Sequence, residues 1–293
     1  MKKSLFIIVW VAALACSNDT EKTSDLFAKG TPLGQVEKRL EEASGLVESA
    51  AHPNHFWTMN DSGHPAEVFL IDNKAQIQLT CKLKGIDNRD FEDITIGNGP
   101  VEGKKYIYVA DIGDNLEKYD VKLIYRFVEP STRAKQEITI TEFDTLKVRL
   151  EDKVRDTEAI FMDPLLNDMY LVSKREDSVR LYQIKQPFAN DTLMAKPIAI
   201  LPFHKIVAAS ITADGQELLL KDYDHVYYWK NNERLSIPKL LQTKPAILAY
   251  ERERQGEAIC WANNGKGYYT LSEAVENQMG KLIFYPRNTV PEK

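Results

Sequence analysis

Asp156-Thr157-Glu158-Ala159-Ile160-Phe161 is the stretch on which the reading of this chain turns. Its Glu-x-Ile core recurs as Glu92-Asp93-Ile94 and Glu257-Ala258-Ile259. Ser44-Gly45-Leu46 and Ala209-Ser210-Ile211 stand at equivalent places without the acid. From Ser44 through Glu92, Glu158 and Ala209 to Glu257 the steps are 48, 66, 51 and 48 residues. A period near 50 residues points to a solenoid, propeller or related array.

Each marker is followed by the same order of short runs rich in β-branched and aromatic residues. After Ser44 come 55–60, 67–72 and 76–81, separated by turns at Pro53-Asn54, Asp61-Ser62-Gly63 and Asp72-Asn73-Lys74. Runs of this length and spacing predict strands of a sandwich, barrel or propeller. The second unit continues with 106–111, 122–127 and 137–141, and the third with 169–173, 180–184 and 198–201. The fourth has 217–221, 225–229 and 246–248, and the fifth only 267–272 and 281–285. The fifth unit lacks a fourth strand, and residues 35–40 near the N-terminus are placed to supply it. Closing the ring this way removes an exposed seam. The expectation is an all-β, five-bladed β-propeller of four-stranded blades over residues 31–293. Six blades is the alternative raised by the 66-residue step, and a two-domain β-sandwich gives no reason for five copies of one order. No sustained helical period is present.

The composition, 43% hydrophobic and 28% charged over 293 residues, suits a globular body. A formal net charge of −5 with no Lys/Arg-rich run excludes a nucleic-acid partner from the expectations. Met1-Lys2-Lys3, an apolar run from Leu5 to Val11 and the small residues before Cys16 read as a signal segment over 1–15. Leu14-Ala15-Cys16 resembles a bacterial lipobox, in which the cysteine becomes the lipidated first residue. Residues 16–30 then read as a flexible tether. The partner implied is a lipid membrane, held through acyl chains that contribute ~0.8 kcal/mol per buried CH₂. The location implied is the bacterial cell envelope, facing periplasm or exterior. Cys81 and Cys260 fall at different points of the repeat, so no bridge is expected.

In a propeller the first strand of each blade lines the axis, and the second is antiparallel to it. The start of the first and the end of the second therefore share one face. The glutamates Glu92, Glu158 and Glu257 lie at strand starts; Asn60-Asp61, Asp111, Ser173-Lys174, Lys221-Asp222 and Ser272-Glu273 lie at strand ends. A second partial ring, Glu42, Asp90, Asp156 and Gln255, lies just upstream. The result is an acidic funnel with two lysines. Crowded carboxylates must take up protons, pair with lysine or hold a cation. Oxygen-only ligands favour a hard ion, Ca²⁺ over Mg²⁺ in a loop-built site. The candidate ligands are Glu92, Glu158, Glu257, Asp156 and Asp90. Lys174, Lys221 and Asn60 are candidates for holding a small anionic molecule, and Asp61 and Asp111 for a general base. The competing reading makes the repeated Glu a staple between blades. Tyr223 and Trp261 read as packing residues. No P-loop, nucleophile elbow or zinc-protease motif is present.

Glu42-Ala43-Ser44-Gly45-Leu46, 57–63, Asp90-Phe91-Glu92-Asp93-Ile94, 108–115 and Asp156-Thr157-Glu158-Ala159-Ile160 together resemble a group of secreted bacterial β-propeller lipoproteins. More distantly the chain is similar to phytase-like and gluconolactonase-like propellers, which use a central carboxylate-bound divalent cation. That resemblance implies a metal role for Glu92, Glu158 and Glu257. Ser44 and Ala209 depart from it. Two functions follow as expectations: an envelope binding protein with Ca²⁺ in its funnel, or a Ca²⁺-dependent phosphoesterase or lactonase using the same residues.

Overall fold

The computed structural model describes residues 23–132, 136–189 and 191–288. The signal segment 1–15 and Cys16 lie outside them. In chain order the strands are β1 (Thr31–Gln35), β2 (Ala43–Glu48), β3 (His55–Asn60), β4 (Glu67–Asp72) and β5 (Ile77–Leu83). Then come β6 (Phe91–Asn98), β7 (Lys105–Asp111), β8 (Lys122–Val128), β9 (Gln136–Ile140) and β10 (Asp144–Leu150). Next are β11 (Thr157–Met162), β12 (Met169–Ser173), β13 (Val179–Ile184) and β14 (Leu193–Leu201). The last are β15 (Ala208–Ile211), β16 (Glu217–Lys221), β17 (Val226–Lys230), β18 (Ala246–Ile247), β19 (Ala258–Trp261), β20 (Gly267–Leu271) and β21 (Lys281–Pro286). One five-residue helix, α1 (Ile237–Leu241), follows β17. With 48% strand and 3% helix, the all-β expectation is met.

The strands pair as antiparallel meanders: β2-β3-β4-β5, β6-β7-β8-β10, β11-β12-β13-β14, β15-β16-β17-β18 and β19-β20-β21-β1. Their innermost strands touch in a closed round, β2 on β6, β6 on β11, β11 on β15, β15 on β19 and β19 on β2. Each innermost strand is covered on both faces by neighbouring sheets. That explains why β11 (TEAIFM) and β19 (AICW) are buried at every residue, whereas the outer β10 alternates. Within sheets, cross-strand rings stack, Phe161 on Tyr170 at 5.0 Å and Tyr268 on Tyr285 at 4.6 Å. Between sheets the apolar faces meet edge to face, Phe56 of β3 against Tyr269 of β20 at 4.6 Å and Tyr228 of β17 against Trp261 of β19 at 5.9 Å. Fully burying such side chains contributes about 1.5–3 kcal/mol apiece.

Three details differ from the sequence reading. The strand completing the last sheet is β1, Thr31–Gln35, while Lys38–Leu40 forms a 3₁₀ turn. Residues 137–141 do not complete the second meander. The strand they form, β9, adds parallel to β5 of the first, and β10 takes the outer position. β10 also pairs in parallel with β14, so the second and third meanders join at their outer edges. Finally, the expected tether is already packed before residue 30. Phe27 is buried beside Tyr228, Trp261 and Tyr268, because an exposed phenylalanine next to that aromatic cluster gains by leaving water. Cys81 and Cys260 are buried free thiols on β5 and β19.

Two of the three Glu-x-Ile copies share a local irregularity, while Glu257 lies just before the regularly paired β19. Pairing runs Phe91 to Asp111 and then Asp93 to Ala110, which leaves Glu92 as an extra residue in a β-bulge. It runs Thr157 to Ser173 and then Ala159 to Val172, so Glu158 is extra in the same way. The first meander has a corresponding irregularity between Ser44 and Val47. Here Gly45 has φ +66, and a Cβ would lie 2.8 Å from the Asp93 Cα. A bulge unpairs one residue and re-aims its side chain. Glu92 and Glu158 are thereby turned toward the face where the innermost strands begin.

Candidate functional site

On that face the carboxylates converge. One oxygen each from Asp61, Glu92 and Glu257 lie within 4.8 Å of one another, and the same holds for Glu92, Asp156 and Glu158. Glu92 belongs to both groups, so five carboxylates from four meanders form one continuous cluster. All but the half-buried Asp61 are buried. Two unit charges 4.8 Å apart repel by about 3 kcal/mol at an effective dielectric near 20. The cluster therefore cannot remain fully ionised and unneutralised.

The countercharge at the centre is Lys174, whose Nζ lies 2.8 Å from Glu158 Oε2. Its ammonium faces Glu158, Glu257 and Glu92 together, and is held charged well above the usual lysine range despite its burial. Lys174 also lies 5.5 Å from the centre of the Tyr223 ring. The Tyr223 hydroxyl donates to Glu257 Oε1. Arg175 Nε donates to Asp156 Oδ2 at 2.6 Å, and the Asp114 amide donates to Oδ1 at 2.8 Å. Glu158 Oε1, by contrast, meets no amide, hydroxyl or ammonium donor, and the carboxyl of Glu92, itself driven to keep its proton, hydrogen-bonds to Glu158.

Burial is the leading cause that raises these acids. It pushes Glu158 up to about 7, with Lys174 opposing. Glu92 is raised well above the carboxylate range by burial and by Glu158 and Asp61. Asp61 is pushed up to about 6 by burial, against the Ser62 amide and with Asp90 and Glu257 adding to the rise. At the rim Glu273 reaches about 9 through burial and the neighbouring Glu257 and Asp61. Asp90 is raised by burial and by Asp156. Without a cation the site thus retains protons near neutral pH.

Space at the floor is set by Gly113. A Cβ there would fall 2.0 Å from Glu92 Oε1 and 2.5 Å from Asp90 Oδ2. Only glycine leaves both carboxylates where they are. The loop that carries it is fixed by a buried ion pair, Lys122 Nζ to Asp114 Oδ2 at 3.1 Å.

The structure brings together Glu92, Glu158, Glu257, Asp156, Asp61 and Lys174, with Asp90 against the floor. Other sequence candidates lie elsewhere. Asn60 is spent on backbone: Oδ1 accepts from Glu42 N at 3.2 Å, and Nδ2 donates to Arg39 O at 2.8 Å. Asp111 is fully buried, receiving Asp90 N at 3.1 Å and lying 3.3 Å from Arg89 Nε. Lys221 is fully buried, its Nζ donating to Asp222 O and Gly256 O beneath the Tyr250 ring. Desolvation pulls it down to about 8. It fastens the segment before Glu257, its ammonium donating to backbone carbonyls. The staple between sheets is Asp93, one residue beyond Glu92. It accepts the amides of Ile94 at 2.8 Å and Ile160 at 3.0 Å, and also that of Ala209. Sequence reasoning missed Arg175 and the contact made by Tyr223. Their signal was position, immediately after Lys174 and two residues after Lys221, at strand ends on the acidic face.

No family model matches the chain, and no curated protein matches it. Among solved structures it is similar to the PQQ-bound form of aldose sugar dehydrogenase from Streptomyces coelicolor. The identity is 8% and the TM-score 0.54, with 91% of this chain and 100% of the other covered. At that identity the likeness is one of fold, a propeller-type architecture.

Proposed function

We propose that this chain is a five-bladed β-propeller, closed by β1 and anchored to the cell envelope through a lipidated Cys16, whose acidic mouth holds a divalent cation. Five blades account for the closed round of five innermost strands, and the 66-residue step needs no sixth blade once β9 is lent to the first meander. The observation that carries the cation reading is the pair of buried carboxylate triads sharing Glu92, set round one central lysine. Glu92, Glu158, Asp156, Glu257 and Asp61 would hold the ion. The donor set is all oxygen and rich in charge, which suits Ca²⁺ ahead of softer metals. A bound cation would supply positive charge for anionic or oxygen-rich ligands of low molecular weight or of another envelope protein.

A thermal unfolding series tests the reading. Ca²⁺ added to chelator-stripped protein at pH 8 should raise the midpoint by several degrees, and Glu92→Gln should abolish the rise. No shift at millimolar Ca²⁺ removes the cation from the account. One observation favours a cation-dependent hydrolase as a second reading: Asp61 is the one half-exposed carboxylate of the cluster, and with the ion held by the buried triad of Glu92, Asp156 and Glu158 it is left at the mouth as a general base. There Asp61 would take the proton from an attacking water. Turnover of phosphate esters or lactones that is lost in Asp61→Asn would support it, and an inactive parent protein would exclude it.

A further inference from the structure

We propose that a cleft beside the acidic mouth, between β21 and the segment 251–254, is a separate binding site for a small amphipathic organic anion, a carboxylate or phosphate on an apolar body. The cleft has a volume of about 490 Å³, within the range of small-molecule pockets. It shares no residue with the two carboxylate triads of the mouth, so it needs no cation.

Its position follows from the last sheet. β20 ends on the mouth side at Leu271, and Ser272 and Glu273 continue from it. β21 runs antiparallel, with Leu282 opposite Leu271, so Lys281 lies at the mouth end. Ile283 lies two residues further down on the same side of the strand, opposite Pro32 of β1. The segment 251–254 faces them on its way to Glu257 and is tied to β21 by Glu251 N donating to Tyr285 Oη at 3.0 Å. The loop above is held by Ala274 N to Glu41 O at 2.7 Å and by Val36 N to Gly280 O at 3.0 Å. Gly280 itself is required, because a Cβ would collide with the Ser272 carbonyl. The walls are therefore set before any ligand arrives.

Two kinds of surface meet in the cleft. Pro32, Val275, Met279 and Ile283 give it an apolar wall, and Lys29, Arg252, Arg254 and Lys281 stand round it. Lys29 lies 3.4 Å from Glu251, Arg252 2.7 Å from Asp224 and Arg254 2.9 Å from Glu276, all in exposed pairs. Such pairs hold their cations weakly, and an incoming anion can replace the carboxylate. Lys281 makes no ion pair among the described residues. The acids of the lining do not cancel this charge. Glu251 is taken by Lys29, and Glu253 Oε2 accepts from Thr270 Oγ1 at 2.9 Å with the buried Lys221 as its countercharge. Glu273, at the border with the mouth, is pushed up to about 9 by burial and by Glu257 and Asp61, so near neutral pH it is a proton donor. The cleft is thus basic where the mouth is acidic. Arginine forks suit carboxylate and phosphate, while the apolar wall selects an organic body over a bare inorganic ion.

The test uses chelator-stripped full chain and three probes of one shape, 2-naphthoate, 2-naphthyl phosphate and the neutral 2-naphthylmethanol, titrated by calorimetry. At least one anion should bind ten times more tightly than the alcohol, the tighter of the two naming the head group. Arg254→Gln/Lys281→Gln, at two exposed positions, should weaken that anion at least tenfold, and Glu92→Gln in the mouth should leave its affinity unchanged. No anion binding at millimolar concentration, equal affinity for the alcohol, or unchanged affinity in Arg254→Gln/Lys281→Gln would overturn the site. Loss in Glu92→Gln with binding kept in Arg254→Gln/Lys281→Gln would put the anion in the mouth and overturn it too. Because the probes are read without Ca²⁺, the cleft and the cation at the mouth stand or fall separately.

Discussion

Replacing Lys174 with methionine removes the central countercharge and keeps most of the side-chain volume. Lys174 Nζ lies 2.8 Å from Glu158 Oε2, with the two side chains 12% and 2% exposed. Removing one partner of so buried a pair costs about 3–5 kcal/mol, because the other is left charged and unsolvated. That cost depends on pH. Glu158 has its folded-state affinity raised to about 7 from 4.5, so below about pH 5 it is protonated and needs no countercharge. The variant should lose about 3–5 kcal/mol at pH 8 but only about 1 kcal/mol at pH 5, the value of one ordinary hydrogen bond. Millimolar Ca²⁺ at pH 8 should restore most of the loss, since the ion replaces the missing charge. Urea unfolding at both pH values, with chelator or Ca²⁺, reads all four quantities. Equal losses at pH 5 and pH 8 with no rescue by Ca²⁺ would mean that Lys174 matters through packing alone, and the charge argument would fail.

Chelated wild-type protein should lose stability as pH rises. Acids with raised folded affinities bind more protons folded than unfolded, so their contribution is complete below about 4 and is lost through about 6 for Asp61 and 7 for Glu158. The Glu158 share alone is about 3 kcal/mol, and denaturant titrations that were flat or rising from pH 5 to 8 would contradict it. Gly113→Ala forces a methyl against Glu92 and Asp90, and should weaken Ca²⁺ binding at least tenfold by calorimetry; unchanged affinity would show that the floor has room. Asp93→Asn keeps one acceptor oxygen for three backbone amides, and should lower stability by about 1–3 kcal/mol without changing the Ca²⁺ dissociation constant. A matched loss of cation affinity would move Asp93 from staple to ligand.

Much of this arrangement was legible in the chain because strand direction is a strong constraint. Once Glu92, Glu158 and Glu257 were placed at strand starts, Asp61 and Lys174 had to share their face. The bulges at Glu92 and Glu158 were hidden, since pairing register is a property of two strands and the repeat shows only one. The same limit misplaced residues 137–141. A short alternating strand fits either of two sheet edges, and the choice of β5 follows from a parallel pairing with no local mark. Asn60, Asp111 and Lys221 looked like ligand-facing groups because polar residues at strand ends usually meet water. Here backbone groups, Arg89 and the Tyr250 ring reached them first. Asp93 was overlooked as the staple because it adjoins a more conspicuous glutamate, and its three amide donors come partly from β11 and β15, far away in sequence.

The most direct test of the central claim is calorimetric titration of Ca²⁺ into chelator-stripped full-length protein near pH 7, repeated in two buffers of different ionisation enthalpy. Binding should be saturable, should release protons from the Glu92–Glu158 pair, and should vanish in Glu92→Gln. An absence of binding heat up to millimolar Ca²⁺ in both buffers would contradict a cation at the acidic mouth.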